Sequence, residues 1–595
     1  MKIADYIMEF IASLGIQDVF CVTGGGAMHM NNALGQSDKL SGVFMLHEQG
    51  AAIAAEAYAR VRDGYGCCLV TSGPGATNAL TGLVGAYIDS IPVIFISGQA
   101  KRADLIGNQG IRQFGIQEVD IISMVSSYTK YAVQIQEPED IKYEFQKAAA
   151  IAINGRPGPV WIDVPLDIQA TSIDIEDLND FDVSTLPTYE VKEELVEETI
   201  QLLNKAKKPV IMLGHGIRLS HSIELAREIY NELGIPVLTS WNGVDLIEEN
   251  HPLYYGRPGM VGQRAANLIQ QSADFVLTIG TRLNLLNTGY NYESFLSRGV
   301  HVMVDIDENE MNKKSVHPQL KIVSDAGSFL RCFKQKMSKV EKTDRSDWIE
   351  KCEYLSAKYP VRIKEQEPRD GYISTYDLVG AVSDKLENKD IYQFTSSGTS
   401  VDIAMKVFQI KWGQRAFLTK GLASMGYDIP ASIGSCIGSG KKRVACITGD
   451  GSFAMNMQEL EVIKRKQLPI KLFVVDNSGY SMIYQSQNNN FKGHLTGCTK
   501  ENGLSLPDMG RIAAAFGIKA MYVEKKEELD QTVENAFDFD GPVVCVVKTD
   551  ITQQILPKQV SYMREDGQMA SRPLEDMGPL LDREELKKIL EEYSV

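Results

Sequence analysis

The chain has 595 residues with 61 Lys or Arg and 77 Asp or Glu, so its formal net charge is −16. A chain of this length is too long for one hydrophobic core, and we expect three domains. The acidic balance argues against a sequence-independent nucleic-acid binder, because such a protein needs a basic surface to displace counterions.

The N-terminus and the cysteines predict a cytoplasmic protein. Ile3, Ile7 and Phe10 follow one another at helical spacing, and Asp5 interrupts the apolar core that a signal peptide would need. No apolar run reaches membrane-spanning length. The nine cysteines include no C-x-x-C pair, so we expect reduced thiols rather than a zinc or redox motif.

Three segments alternate helical periodicity with short β-branched runs that end in glycine, which is the pattern of parallel α/β domains. We therefore predict an α/β protein of three domains, each with a central, mainly parallel sheet flanked by helices. The predicted division is a first domain 1–170, a linker 171–194, a second domain 195–340, a linker 341–372, a third domain 373–550 and a tail 551–595. Ligands of such sheets bind at the carboxyl ends of strands.

Polar and glycine-rich stretches follow the predicted strands of the first segment. The loop VTGGGAMHM contains His29, and Glu48 lies between a strand and a helix of small residues. The stretch TSGPGATN, residues 71–78, is a strand-to-helix turn. Each of them also has a structural alternative. His29 would be a core histidine, Glu48 a carboxylate that complements a helix macrodipole, and residues 71–78 a generic tight turn.

The stretch ITGDGSFAMNMQELEVIKRKQLPIKLFVVDNSGYSM in the third segment predicts a site for a metal-bound diphosphate. Residues 449–452 follow a buried strand and open a helix, where backbone N–H groups bind anions. Asp450 disfavours a bare phosphate, but Mg²⁺ between the carboxylate and a diphosphate removes the conflict. Asn477, 27 positions later, and the carbonyl of Gly479 supply further oxygens. A simple N-cap role for Asp450 is the alternative.

This Gly-Asp-Gly and its later asparagine resemble the binding motif for thiamine diphosphate (ThDP). The resemblance extends over nearly the whole chain, to the acetolactate synthase/pyruvate oxidase family of ThDP enzymes. It implies an N-terminal pyrimidine-binding domain, a central domain and a C-terminal diphosphate-binding domain. It also implies active sites between the first domain of one subunit and the third domain of its partner, and therefore a homodimer or homotetramer.

The resemblance assigns roles to individual residues. Glu48 matches the glutamate that hydrogen-bonds the aminopyrimidine ring, and Gln117 and His29 are the other candidate catalytic residues. Met425 matches the methionine that wedges between the two cofactor rings. The metal ligands are Asp450, Asn477 and Gly479. The complete cofactor-binding set is Gly73, Pro74, Asn78, Gly398, Thr399, Ser424, Met425, Gly449, Asp450, Gly451, Ser452, Asn477, Gly479 and Tyr480.

The candidate acceptor pocket departs from acetolactate synthase at two positions. The segment GTRLNLLNTG keeps Arg282 but has Leu286 where the synthase has a second arginine for the acceptor carboxylate. An aliphatic side chain cannot pair a carboxylate. Ser486 stands where the synthase has a tryptophan, whereas Lys130 is kept. The chain thus resembles the synthase-like carboligases of bacterial surface-polysaccharide pathways, one branch of which transfers an acetyl unit from pyruvate to a nucleotide-linked ketosugar.

The second segment raises the question of FAD. Its stretches MLGHGIRLS, GTRLN and VDIDENE resemble the FAD-binding segments of the synthase, and the candidate FAD-binding residues are Gly214, Gly216, Thr281, Arg282 and Asp305. The alternative is a packing spacer without a nucleotide.

Three functions stay open at this point. The first is a ThDP- and Mg²⁺-dependent enzyme that decarboxylates a 2-oxo acid such as pyruvate and joins the two-carbon unit to a large carbonyl acceptor. The second is an acetolactate synthase catalytic subunit. The third, a non-catalytic ThDP-binding homologue, is disfavoured because Glu48, Asp450 and Asn477 are all retained.

Overall fold

The computed structural model describes residues 1–591, in which three parallel sheets flanked by helices follow one another along the chain. This confirms the predicted α/β class and its three sheet-centred units. All nine cysteines are buried and free, as expected for reduced thiols. Within 1–591 no helix is both long enough and apolar enough to cross a membrane.

The first sheet has the strand order β2-β1-β3-β4-β6-β5, and every neighbouring pair is parallel. Its elements are α1 Ile3–Ser13, β1 Asp18–Cys21, α2 Met28–Gln36, β2 Ser41–Phe44, α3 Glu48–Arg62, β3 Gly66–Val70, α4 Pro74–Asn78, α5 Leu80–Asp89, β4 Val93–Gln99, α6 Ile121–Val125, β5 Tyr131–Gln134, α7 Ile141–Ile153, β6 Val160–Pro165 and α8 Leu166–Ala170. Strands β3, β4 and β6 are buried along their whole length, as expected for a parallel sheet covered on both faces.

The second sheet has the order β11-β10-β9-β7-β8 and is also parallel. Its elements are α9 Glu193–Lys205, β7 Pro209–Leu213, α10 Gly216–Leu219, α11 Ile223–Leu233, β8 Val237–Thr239, α12 Arg264–Ser272, β9 Phe275–Ile279, α13 Leu285–Thr288, β10 Val300–Asp305, α14 Glu308–Asn312, β11 Leu320–Val323 and α15 Ala326–Gln335, followed by α16 Ser346–Lys358.

The third sheet has the order β13-β12-β14-β15-β17-β16, which repeats the strand order of the first. Its elements are α17 Thr375–Lys385, β12 Ile391–Phe394, α18 Thr399–Val407, β13 Arg415–Phe417, α19 Asp428–Gly438, β14 Val444–Gly449, α20 Asp450–Met455, α21 Leu460–Lys466, β15 Ile470–Asp476, α22 Ser481–Asn490, α23 Met509–Ala515, β16 Lys519–Val523, α24 Leu529–Asp538 and β17 Val543–Lys548.

The tail folds back onto the second sheet's domain. It contains the antiparallel pair β18 Ser561–Met563 and β19 Met569–Ser571, and the helix α25 Arg583–Glu591. Arg264 on α12 donates a 2.6 Å hydrogen bond to the carbonyl of Pro579, and Leu586 packs in the core of that domain. The predicted linker and tail boundaries stay predictions, although the strands of each sheet fall within the predicted domain ranges.

Each sheet has a point near its middle at which the strand order reverses. At such a point a crevice opens between strand ends. In the first sheet this point lies between β1 and β3, and in the third between β12 and β14. In the second it lies between β7 and β9. The glycine-rich stretches singled out in the sequence follow these strands, so the topology brings them together in pairs.

Helices α3 and α19 pack closely and join the first domain to the third. The backbone carbonyl of Ala54 occupies the space that a Cβ on Gly434 would need, so only glycine permits this approach. Next to this contact, Arg60 pairs with Glu56 at 2.5 Å and with Asp89 at 2.7 Å, all fully buried. Nη1 of Arg60 also donates a 3.2 Å hydrogen bond to the carbonyl of Leu418. This bond and the Gly434 contact fix the first domain against the third within a single chain.

Candidate functional site

Glu48 is the first residue of α3, directly after the loop that leaves β2. Its Oε2 accepts a 3.0 Å hydrogen bond from Nδ2 of Asn78, at the end of α4. A Cβ on Gly75 would lie 3.5 Å from Oε1 of Glu48. The structure therefore brings Glu48 together with the turn at residues 73–78. Glu48 is the predicted partner of the aminopyrimidine ring, and the turn contains other predicted cofactor-binding residues.

The loop after β1 packs against the turn after β3. The backbone N–H of Gly26 donates a 3.0 Å hydrogen bond to Oγ1 of Thr71. His29, in the same region, has its Nδ1 3.1 Å from Nζ of Lys2. Partial burial, with a contribution from the Lys2 charge, lowers the pKa of His29. This contact is a structural one, and the catalytic role of His29 stays a prediction.

The backbone of Gln117 lies against the turn at Gly73. A Cβ on Gly73 would lie 2.6 Å from the carbonyl oxygen of Gln117, and Gly73 has a positive φ of 62°. The neighbouring carboxylate of Glu118 accepts backbone N–H bonds from Phe114 at 3.0 Å and Gly115 at 2.9 Å. Burial opposes ionisation of Glu118, but backbone hydrogen bonds outweigh it and lower the pKa. Glu118 thus anchors the loop that places Gln117 beside Gly73.

In the predicted metal turn, the carboxylate of Asp450 accepts hydrogen bonds from three backbone N–H groups. Asp450 Oδ1 accepts the N–H of Gly451 at 2.7 Å, and Oδ2 accepts those of Asn477 at 3.2 Å and Gly479 at 3.3 Å. Burial, together with the charge of Asp476, raises the pKa of Asp450 to about 7. Oδ1 of Asn477 is buried without a hydrogen-bond partner in the described structure.

These features fit a divalent cation. A cation would stabilise the buried charge of Asp450 and give the amide oxygen of Asn477 a partner. Within residues 1–591, no cluster of three or more His, Cys, Asp or Glu residues could hold a metal. A Mg²⁺ site at the Asp450 turn would instead combine one carboxylate with neutral oxygens and phosphate.

Asp428 is a buried hub that sequence reasoning missed. Its Oδ2 accepts hydrogen bonds from the hydroxyls of Ser452 at 2.6 Å, Thr448 at 2.5 Å and Thr395 at 3.0 Å. Ser452 in turn accepts the N–H of Gly426 at 2.9 Å. Asp428 therefore connects the strand ends of β12 and β14. Its only sequence signal was an aspartate at a helix start, which usually marks a cap.

Met425 and Tyr480 lie against the glycine of the metal turn. A Cβ on Gly451 would lie 3.0 Å from Cε of Met425 and would clash with the ring of Tyr480. Oγ1 of Thr399 lies 3.1 Å from Oγ of Ser481. The predicted diphosphate-side residues thus converge from the ends of four strands, β12 to β15. Their contacts with a cofactor stay a prediction.

The second domain contributes a cavity of about 610 Å³ at the junction with the first and third domains. Among the candidate FAD residues, those that line it are Gly216, Thr281, Arg282 and Asp305. The carbonyl of Gly280 fills the space that a Cβ on Gly214 would need, so the turns after β7 and β9 touch. Glycine here lets the two turns meet and form one wall of the cavity.

Several residues that line this cavity carry a buried polar atom without a hydrogen-bond partner in the described structure. These atoms are Oγ1 of Thr281, both ring nitrogens of His215, Oδ1 of Asn242 and Nδ2 of Asn287. Buried polar groups are normally paired, so a concentration of unpaired ones on one cavity indicates a polar ligand. This set fits a nucleotide.

The three predicted acceptor-pocket residues are dispersed. Nζ of Lys130 donates to the carbonyls of Ile151 and Asn154 at the C-terminus of α7, a helix-capping contact. Leu286 lines the central cavity, and Ser486 lies on α22 just past the metal turn. These contacts give Lys130 a structural place in the first domain, and the acceptor-pocket role of all three stays a prediction.

Comparison with known proteins agrees with this geometry. Sequence profiles of thiamine pyrophosphate enzymes match in chain order: the N-terminal TPP binding domain at residues 1–124, the central domain at 196–333 and the C-terminal TPP binding domain at 396–547. The fold and the paired strand-end sites thus define the class of ThDP enzymes.

Relatives with similarity over most of the chain narrow this class. Acetolactate synthase isozyme 2 large subunit of Escherichia coli (strain K12) is 32% identical over 560 residues, 94% of this chain and 97% of the relative. Acetolactate synthase 2, chloroplastic, of Nicotiana tabacum is 32% identical over 93% of this chain and 83% of its own length. A probable acetolactate synthase large subunit of Methanocaldococcus jannaschii is 32% identical, with 92% of each chain covered.

The chain therefore belongs to the ThDP-dependent, acetolactate synthase-like family of enzymes. ThDP is its cofactor, as the sequence motifs predicted.

Proposed function

We propose that this enzyme decarboxylates pyruvate and joins the remaining two-carbon unit to a carbonyl acceptor. The observation that carries the proposal is the pairing of two sites. Glu48 is oriented by Asn78 on the pyrimidine side. On the diphosphate side, Asp450 accepts the backbone N–H of Asn477, whose side-chain oxygen is unpaired in the described structure. The large-subunit relatives, named acetolactate synthases, support the same chemistry.

The reaction balances without a further redox partner. The bond between C1 and C2 of pyruvate breaks and CO₂ leaves. The electron pair that remains forms a bond from C2 to the carbonyl carbon of the acceptor, whose oxygen takes up a proton. Bound ThDP supplies an acidic C–H at C2 of its thiazolium ring and an electron sink for the decarboxylation.

The residues of the chain supply position and proton control. Glu48 would hydrogen-bond the aminopyrimidine ring, and Asn78 holds the Glu48 carboxylate in one orientation for that contact. Asp450, Asn477 and the carbonyl of Gly479 would hold Mg²⁺ at the diphosphate. Met425, which lies against Gly451, would support the bent conformation of the cofactor.

The acceptor is a bulky carbonyl compound, of which a nucleotide-linked ketosugar is the candidate. Leu286 offers no charge for the carboxylate of a second oxo acid, and Ser486 leaves more room than a tryptophan. A second candidate function is that of an acetolactate synthase catalytic subunit, favoured by the names of the relatives. A non-catalytic homologue is disfavoured because Glu48 and Asp450 are both present.

FAD in the central cavity is part of the proposal. The cavity volume of about 610 Å³ suits a cofactor-sized ligand, and Thr281 and His215 present unpaired polar atoms there. A spacer domain would instead be expected to pair these atoms internally.

Self-association completes the proposal. We expect a homodimer or homotetramer, in which the first domain of one subunit and the third domain of its partner share each active site. Sedimentation of the purified protein would distinguish these states from an inactive monomer.

The direct experiment incubates the protein with ThDP, Mg²⁺ and pyruvate alone and measures CO₂, acetolactate and acetaldehyde. Slow CO₂ release with little acetolactate is expected, because the proper acceptor is absent. Abundant acetolactate would favour the synthase, and no CO₂ at all would favour the non-catalytic homologue.

Leu286→Arg tests the acceptor assignment in the same assay. Because the new guanidinium can pair a carboxylate, the fraction of pyruvate converted to acetolactate is expected to rise several-fold. Leu285→Arg, at an exposed neighbouring position, is the matched control and is expected to leave that fraction unchanged. An equal response of the two variants would contradict the assignment.

A further inference from the structure

Glu459, from the third domain, holds the loop that leads into Glu48. The carboxylate of Glu459 accepts the backbone N–H of His47 at 3.0 Å and that of Leu46 at 3.2 Å. These two residues immediately precede Glu48, the first residue of α3. Glu459 is fully buried, so water does not compete for these hydrogen bonds.

Other third-domain residues hold the two ends of the same loop. Arg465 donates a hydrogen bond to the carbonyl of Phe44, where β2 ends. Nδ2 of Asn456 lies 3.4 Å from Oε1 of Gln49, the residue after Glu48. The loop is therefore held along its length by the segment that carries Glu459.

The carboxylate of Glu459 lies directly against Gly50 of α3. A Cβ on Gly50 would lie only 2.6 Å from Oε1 of Glu459 and 3.0 Å from its carboxyl carbon. Burial raises the pKa of Glu459 to about 7, while the two backbone N–H bonds oppose that rise.

The same segment connects to the metal turn. Helix α20 begins at Asp450, and Asn456 follows its last residue. Nδ2 of Asn456 donates a 2.6 Å hydrogen bond to the carbonyl of Gly426, next to Met425. One continuous stretch, residues 450–459, thus carries Asp450 of the metal turn at one end and contacts the Glu48 loop through Glu459 at the other.

We propose that Glu459 is a positioning residue for Glu48, which fixes the orientation of the Glu48 backbone from the third domain of the same chain. The inference rests on the proposed role of Glu48 in activating the cofactor. A displacement of about 1 Å at such a group costs a large factor in rate, so loss of the anchor affects the proton step more than cofactor binding.

The test compares Glu459→Ala and Glu459→Gln with the control Glu461→Ala. Glu461 lies two residues further along, on helix α21. For each protein loaded with Mg²⁺ and ThDP, the rate of C2 hydrogen–deuterium exchange of the bound cofactor and the cofactor affinity are measured. Glu459→Ala is expected to slow exchange about 10–100-fold with cofactor affinity within about threefold. Glu459→Gln keeps an acceptor oxygen and is expected to restore most of the rate. The control is expected to match the wild type.

Gly50→Ala disturbs the same contact from the other side. Its Cβ displaces the Glu459 carboxylate, while alanine favours helix α3 more than glycine does. The variant is expected to fold, bind Mg²⁺ and ThDP and show slow C2 exchange, even if Glu459→Ala fails to fold.

Glu48→Gln, measured beside these variants, separates two failures. Normal C2 exchange in Glu48→Gln would overturn the proposed function itself. Slow exchange in Glu48→Gln together with wild-type exchange in Gly50→Ala, or in a folded Glu459→Ala, would overturn only the positioning role. A purely structural role would lower thermal stability and leave the exchange rate per bound cofactor unchanged.

Discussion

Nδ2 of Asn78 donates a 3.0 Å hydrogen bond to Oε2 of Glu48, so the turn after β3 orients the carboxylate at the start of α3. The two residues come from different strand ends on either side of a strand-order reversal. A carboxylate restrained in this way needs little reorganisation when it accepts a hydrogen bond from a ligand.

Glu48→Gln is expected to leave ThDP affinity within a few-fold of the wild type, because the amide has nearly the same shape. Turnover and C2 exchange are expected to fall by about 10²–10⁴, since an amide is not a base and cannot take up a proton from the aminopyrimidine ring as the carboxylate does. Isothermal titration gives the affinity, and ¹H NMR of the cofactor after acid quench gives the exchange rate. Near-wild-type turnover would contradict the assignment, and Glu9→Gln at a surface site is the control.

Asp450→Ala is expected to abolish binding of Mg²⁺ and ThDP together, because it removes the only carboxylate of the proposed ligand set. Asp476→Asn is the control, since Asp476 lies nearby and its charge acts on Asp450, but it is not a proposed ligand. Equilibrium dialysis against Mg²⁺ and ThDP measures both. Retention of the cofactor by Asp450→Ala would exclude this turn as the metal site.

Thr281→Val tests the nucleotide assignment of the central cavity. The purified wild type is expected to release FAD on heat denaturation, measured by fluorescence of the supernatant. The variant removes an unpaired buried hydroxyl with almost no change of shape, and its FAD affinity is expected to fall about tenfold. Thr199→Val, whose hydroxyl is already bonded within α9, controls for general destabilisation. Equal FAD affinities in both variants would rule out a contact at Thr281.

Asp163 makes folding stability depend on pH. Burial raises the pKa of this carboxyl to about 6, against hydrogen bonds from Gln134, Ser97 and Gln99 that oppose the rise. The folded state therefore retains the proton above the unfolded pKa near 4, and this contribution is present at low pH and lost as pH rises through about 6.

Asp163→Asn is neutral at every pH and keeps the shape of the protonated acid. The difference in melting temperature between wild type and Asp163→Asn is expected to favour the wild type most near pH 4. It is expected to decline as pH rises through about 6. A difference that stays constant from pH 4 to 8 would show that Asp163 does not titrate in this range.

The strand-end sites could be predicted because their signals are local. An apolar β-branched run followed by glycines shows where a buried strand ends and a helix begins, and Glu48, Asp450 and Asn477 lie at such points. Parallel topology then requires these ends to share one edge of a sheet. His29 and Lys130 show the limit of this reasoning, since their partners Lys2 and Asn154 have no recognisable motif.

The sequence by itself determined the α/β class, the succession of three sheets and the residue types at each strand end, because helical and strand periodicities are properties of neighbouring residues. Only the tertiary structure decided which distant groups meet. Leu46 and Glu459 are 413 positions apart, and their contact and the three-domain cavity depend on how the domains pack. The hub at Asp428 depends on how the elements of the third domain pack. Burial and close packing act between elements in space, so they leave no local periodicity from which such contacts can be inferred.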